Sequence, residues 1–239
     1  MADPQPKPLI VQSDRTLLLQ VDSPLYAETR DALASFAELQ KCPEHIHTYR
    51  ITPLSLWNAA AAGHSAEDVI GALTRHSRYD VPQNIVAEVR DYMARYGRLK
   101  LIRRDERLEL VSDSPELIAE IWHNRSVRPR LRQLIPPNRI EIDPLFRGHI
   151  KQALIKIGFP VEDLAGYVAG ERLHVALRET ALSGAAFAPR GYQAEAADIF
   201  YAGGSERGGS GVICLPCGAG KTVVGLAAMA RLQTHTIIL

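Results

Sequence analysis

The chain has 239 residues, of which 46% are hydrophobic and 23% charged, and a formal net charge of +1. That profile is the one of an ordinary soluble globular protein with one large domain or two small ones, and it leaves no global charge excess to attract a polyanion. No run approaches the roughly 18 apolar residues of a membrane span, the N-terminus lacks a basic-then-apolar leader, and Cys42, Cys214 and Cys217 are too few for a disulfide framework, so a cytoplasmic chain with no membrane partner is expected.

After a Pro-rich lead, LIVQ and TLLLQV flank Ser13-Asp14-Arg15 and read as a hairpin. Asp22-Ser23-Pro24 offers an N-cap and an N1 proline for an amphipathic helix carrying Leu25, Leu33, Phe36 and Leu39 and ending near Cys42-Pro43, after which HIHTYRI reads as a strand. Three capped helices follow: Thr52-Pro53 opens the first, Ser65-Ala66-Glu67-Asp68 resembles a capping box for the second, and Val81-Pro82 opens a third that Gly97 stops. LKLIRR and RLELVS, joined at Asp105-Glu106, complete a winged-helix-like module over residues 52–112.

Ser114-Pro115-Glu116 starts a further helix, and a basic, Pro-punctuated stretch then marks a boundary that closes an N-terminal mixed domain at 124. Residues 125–185 read as a small α+β unit with strands at Arg139 to Asp143 and Leu173 to Leu177, a helix from Leu145 to Ile157, and an Ala- and Gly-rich linker from Thr180. A helix from Tyr192 to Tyr201 opens the last part, residues 186–239. The expected fold class is therefore multidomain, α/β and α+β together.

The chemistry concentrates near the C-terminus. Gly211 to Leu215 is an apolar run suited to a buried parallel strand, Pro216-Cys217-Gly218-Ala219-Gly220-Lys221-Thr222 follows at once, and Val223 to Leu232 is helical in pattern. Strand, glycine loop, Lys-Thr and helix is the context of a phosphate loop, although Leu215 stands where the written Walker pattern has glycine. Gly218 and Gly220 permit the turn that aims N–H groups at phosphate oxygens. Lys221 is expected to neutralise outer phosphates and the Thr222 hydroxyl to ligate magnesium.

LPCGAGKT, with RGYQ upstream of it, resembles the XPB family of DNA helicases, within superfamily 2. YRITPLSLWNAAAAG through YGRLKLI is similar to that family's N-terminal domain, and RIEIDPLFRGHIKQALIKIGFPVEDLAGY lies where the family has a small damage-recognition-like domain. The resemblance implies that Arg190, Tyr192 and Gln193 form an adenine-side motif, with Gln193 reading the adenine edge, and that Pro216, Cys217, Gly218, Ala219, Gly220, Lys221 and Thr222 hold the ATP phosphates. Gly191 stands where eukaryotic members carry proline. It further implies the start of a RecA-like motor, ATP and Mg2+ as cofactors, 3′-to-5′ translocation in DNA repair or opening, DNA and a nuclease or other repair protein as partners, and association with the nucleoid.

Cys214 and Cys217 form a C-x-x-C for which nothing supplies a second half-site. Two basic clusters are better placed for phosphate contact. Arg98, Lys100, Arg103, Arg104 and Arg107 lie on the wing, and Arg125, Arg128, Arg130 and Arg132 follow it with no acidic residue between Glu120 and Glu141. Two other readings stay open: a non-catalytic DNA- or protein-binding regulatory module, and another P-loop DNA translocase. An acidic motif for magnesium and water is expected downstream of a phosphate loop, and the residues after Thr222 hold no Asp or Glu, so this chain alone is expected to be inactive.

Overall fold

A computed structural model describes residues 7–166, 170–205, 208–209, 211–216 and 218–238. The N-terminal hairpin is formed by Leu9–Val11 (β1) and Thr16–Gln20 (β2), paired antiparallel with Leu9 opposite Leu19, and Arg15 takes the left-handed turn position at φ 74°. Alternation sends Leu9, Val11, Leu17 and Leu19 to the buried face.

Helix α1 is shorter than the sequence predicts, Tyr26–Ala34, and Glu38–Lys41 is a strand, β3, where helix is expected. The difference has a packing cause. Phe36 turns inward with 2% of its surface exposed, and its carbonyl accepts a 2.7 Å bond from the buried Ser55 hydroxyl, which fixes the chain in a bend. Beyond the bend β3 pairs with Ile46–Arg50 (β4), giving a four-stranded sheet in the order β1-β2-β4-β3.

Pro53–Ala61 (α2), Ala66–His76 (α3) and Gln83–Arg95 (α4) follow the predicted punctuation. Thr52 and Ser55 satisfy each other's backbone N–H groups, as do Ser65 and Asp68, so two helix starts are fixed by reciprocal caps. Gly97, at φ 78°, ends the run after α4 in the conformation that favours glycine. Leu56, Ala59, Val69, Leu73, Ile85, Val89 and Met93 close over the buried face of the first sheet, and all belong to one apolar core. Trp57 caps that region, its indole N–H donating to the Tyr92 carbonyl at 2.9 Å.

The hairpin Leu99–Arg104 (β5) and Arg107–Val111 (β6), with Asp105 at φ 53°, belongs to the second sheet. Pro115–His123 is α5, Arg147–Lys156 is α6, and the remaining strands are Leu131–Ile135 (β7), Arg139–Ile142 (β8) and Val161–Asp163 (β9). The order is β7-β8-β6-β5-β9. Strand β7 is missed by the sequence reading because Arg132 and the flanking prolines mask the buried Leu131 and half-buried Leu134. By contacts the chain divides into Met1–Lys100 with Glu109–Glu162, and Leu101–Leu108 with Asp163–Leu239.

In the second unit Gly191–Tyr201 is α7 and Lys221–Leu232 is α8. Two expected strands are not formed. Residues 211–216 are irregular, with Val212 95% and Ile213 39% exposed, and Leu173 to Leu177 form no strand, the preceding Arg172 making an isolated antiparallel bridge with Thr234. A buried parallel strand requires neighbours on both edges and cover on both faces. Among the described residues nothing flanks 211–216 in that way. No helix of the described residues is long and apolar enough to cross a membrane.

Candidate functional site

Helices α7 and α8 meet through small side chains, Ala197 against Ala227 and Ala228, which allows close approach of their backbones. Arg231 on α8 ion-pairs with Asp198 on α7 and donates to the carbonyls of Ala227 at 3.0 Å and Ala194 at 3.3 Å. The Arg231 guanidinium holds the Asp198 carboxyl below its usual range. This clamp ties the last turn of α8 to Ala194 and Asp198 of α7.

The loop before α8 is built on two left-handed glycines, Gly218 at φ 79° and Gly220 at φ 78°, the latter being the residue from which α8 departs. The Lys221 amine turns back into the loop and donates to the carbonyls of Leu215 at 3.1 Å and Pro216 at 3.2 Å. Thr222 is exposed in the first helical turn. Cys217 lies outside the described residues, and Cys214 is exposed and free. A positive helix end, its first N–H groups and an ammonium directed into the same loop suit an anion of several charges.

The upstream motif joins this loop. Tyr192 donates its hydroxyl to the Ala219 carbonyl at 2.7 Å and accepts from Arg190 at 3.4 Å. Gln193, 5% exposed, donates its amide N–H to the same Ala219 carbonyl at 2.8 Å, and its amide oxygen accepts the Arg190 backbone N–H at 2.9 Å. Arg190, Tyr192 and Gln193 are thus brought to Ala219 and Gly220 as one polar cluster. The direct bonds from Tyr192 and Gln193 to Ala219 are not visible in the linear motif, because they depend on the alanine contacts that set the two helices side by side.

The arginines after α5 are placed differently from a free basic strip. Arg128 lies over the Trp122 ring at 3.7 Å from its centroid and donates to the Leu131 carbonyl at 3.2 Å. Arg130 donates to the Ser126 carbonyl at 2.7 Å. Arg132 pairs with Asp143 at 2.7 Å and with Glu141 at 3.8 Å, because the β7–β8 pairing returns acidic residues that are distant in sequence. Arg125 is exposed. Among the described residues there is no group of three or more His, Cys, Asp or Glu side chains able to hold a metal.

Comparison with known proteins gives a consistent set of matches. Residues 9–135 match the family described as Helicase conserved C-terminal domain. The chain is similar to the DNA 3′-5′ helicase XPB of Kineococcus radiotolerans, 51% identical over 97% of this chain and 40% of that protein. It is equally similar to the DNA 3′-5′ helicase XPB of Mycobacterium tuberculosis, 51% identical over 97% of this chain and 41% of that protein. A more distant match is the general transcription and DNA repair factor IIH helicase/translocase subunit XPB of Antonospora locustae, 30% identical over 97% of this chain and 34% of that protein. The chain therefore spans about 40% of the length of the bacterial relatives it matches.

Proposed function

The chain belongs to the XPB family of DNA helicases, and from that premise we propose that it carries the nucleotide-phosphate cradle and part of the DNA-contacting surface of an ATP-dependent 3′-to-5′ DNA helicase or translocase acting in DNA repair or opening. The observation that supports this reading best is the convergence at the start of α8. Gly218 and Gly220 turn the loop, the Lys221 amine points into it, and Tyr192 and Gln193 hold its Ala219 carbonyl. ATP and magnesium fit this donor set, in which Lys221 and the first N–H groups of α8 face the phosphates and Thr222 offers a hydroxyl to the metal. Bound magnesium supplies charge neutralisation at the phosphates.

On binding, Lys221 exchanges the carbonyls of Leu215 and Pro216 for phosphate oxygens. Gln193 reads the adenine edge by exchanging internal bonds, while Arg190 and Tyr192 flank it. Residues 1–124 act as the N-terminal family domain, 125–185 as the damage-recognition-like unit with its linker, and 186–239 as the opening of a RecA-like motor lobe. DNA and a nuclease or other repair protein are the partners, and the nucleoid is the site of action.

Turnover calls for an oriented water and a transition-state arginine besides the cradle. A second reading is that this chain binds nucleotide without turning it over. Equilibrium binding of ATP with magnesium, together with a steady-state phosphate-release assay, tests both. The expected result is binding that Lys221→Ala reduces at least tenfold, the loss of one charge-assisted contact of roughly 1.5–3 kcal/mol, with release at background for both proteins. Binding indifferent to Lys221 would remove the cradle from the proposal, and lysine-dependent release would remove the second reading.

DNA affinity supplies a separate check. Each phosphate contact contributes about one unit to the slope of log affinity against log salt. Arg125→Ala and Arg130→Ala are each expected to lower that slope, and Arg132→Ala to lower it least because its charge already faces Asp143 and Glu141. A titration series in which Arg132 dominates would reverse this order and show that the ion pairs open on DNA.

A further inference from the structure

Alanines set how close α7 and α8 lie, and they leave the register of the two helices weakly defined. Ala197, Ala227 and Ala228 are the buried members of their contact, with the partly buried Leu177 and Phe200 packed against them, and methyl groups interlock less than long side chains do. A polar bridge supplies the missing constraint. The Arg231 guanidinium, in the last turn of α8, pairs through Nε with the Asp198 carboxylate, donates through Nη2 to the Ala194 carbonyl at 3.3 Å, and donates through Nη1 to the Ala227 carbonyl of its own helix at 3.0 Å. One rigid plane of donors thus holds both helices, which the point charge of a lysine could not do.

Both ends of the bridge bear on Gln193. Ala194, whose carbonyl Arg231 holds, follows Gln193 directly, and Asp198 lies about one turn further along α7. The α8 end is itself anchored, since Gln233, just beyond Arg231, donates its amide N–H to the Val175 carbonyl at 2.6 Å and accepts the Val175 N–H at 3.3 Å. The glycine loop needs none of this. Gly218, Gly220, Lys221 and the first N–H groups of α8 belong to one continuous segment, and Lys221 reaches back no further than Leu215. Reading a base needs two segments at once: a base whose place is set by phosphates held at the start of α8, and an amide carried on α7. A glutamine amide pairs bidentately with N6 and N7 of adenine, whereas guanine offers two acceptors there, so a displaced amide loses the distinction.

We infer that Arg231 is a positioning residue for base selection: its bridge to Asp198 and Ala194 fixes α7 against α8 so that Gln193 meets the base of a nucleotide held at the glycine loop. Discrimination between adenine and guanine nucleotides then depends on Arg231, while the grip on phosphate does not. The inference rests on the nucleotide-binding reading above and gives that site a determinant of specificity remote from the bound nucleotide.

The test measures equilibrium affinity of the 239-residue chain for ATP, GTP and inorganic tripolyphosphate, each with magnesium. The wild-type chain is expected to prefer ATP to GTP by roughly tenfold or more, the size of one bidentate base contact. Arg231→Ala is expected to bring that ratio to within about twofold of unity by weakening ATP, with tripolyphosphate affinity unchanged. Asp198→Asn, which keeps an oxygen for the Arg231 Nε–H, is expected to retain the preference, as a bridge that works by geometry requires. A preference that survives Arg231→Ala overturns the positioning role and leaves the nucleotide site standing. Tripolyphosphate affinity that falls in step with ATP affinity also overturns it, because the arginine would then serve the stability of the whole unit. A wild-type chain that binds ATP and GTP alike overturns the adenine role of Gln193, and one that binds none of the three ligands overturns the nucleotide site itself.

Discussion

Replacing Gly220 by alanine is expected to destabilise the second unit by about 2–3 kcal/mol and to cost at least a tenfold loss of ATP affinity. Two effects act together. At φ 78° and ψ 46° the residue is in the left-handed region, where an L side chain costs roughly 1–2 kcal/mol. The added Cβ would also lie 2.5 Å from the Gln193 amide nitrogen, closer than atoms of that size approach. Gln193 is buried and already bonded to Ala219 and Arg190, so yielding to the methyl group breaks contacts worth about 1 kcal/mol each. The loop and the turn at Arg190 to Gln193 would then lose their common point. A double-mutant cycle with Gln193→Ala separates the causes: the clash disappears with the glutamine and the strain remains. A Gly220→Ala protein with wild-type melting and ATP affinity would show that neither contact matters.

Phe36→Ala is expected to be the most damaging single truncation of the first unit, at about 3–5 kcal/mol. The ring is 2% exposed in the core shared by the first sheet and α1 to α4, and the chain bend at its carbonyl leaves little freedom to collapse around the cavity. Against a total stability of about 5–15 kcal/mol that is a large fraction. Urea unfolding would show a lower midpoint with an unchanged slope if packing alone is lost. A shift below about 1 kcal/mol would mean that the core refills the space, and the bend would then be held by the Ser55 hydroxyl rather than by the ring.

Legibility in the sequence follows how local each cause is. The starts of α2 and α3 could be read because Thr52 with Ser55, and Ser65 with Asp68, act over three residues. The glycine loop could be read because Gly218, Gly220 and Lys221 act within four. Strand β3 could not, since Leu39 continues the apolar spacing of α1 and only the burial of Phe36 interrupts it. Arg132 appears unopposed along the chain and faces two carboxylates in space, a pairing that the β7–β8 register alone decides. The apolar run before the glycine loop misleads for the opposite reason: its composition fits a buried strand, but a strand of that kind is a property of its neighbours.

The two tryptophans divide the chain optically. Trp57, bonded to Tyr92, and Trp122, under the Arg128 guanidinium, both belong to the first unit, and the second, Leu101–Leu108 with Asp163–Leu239, contains tyrosine but no tryptophan. Emission excited at the red edge of the spectrum therefore follows melting of the first unit, and stays blind to the glycine loop. Tyr192→Trp in a chain whose Trp57 and Trp122 are replaced by phenylalanine would put the single tryptophan beside Ala219, so that emission from that variant follows the second unit and emission from the parent chain follows the first.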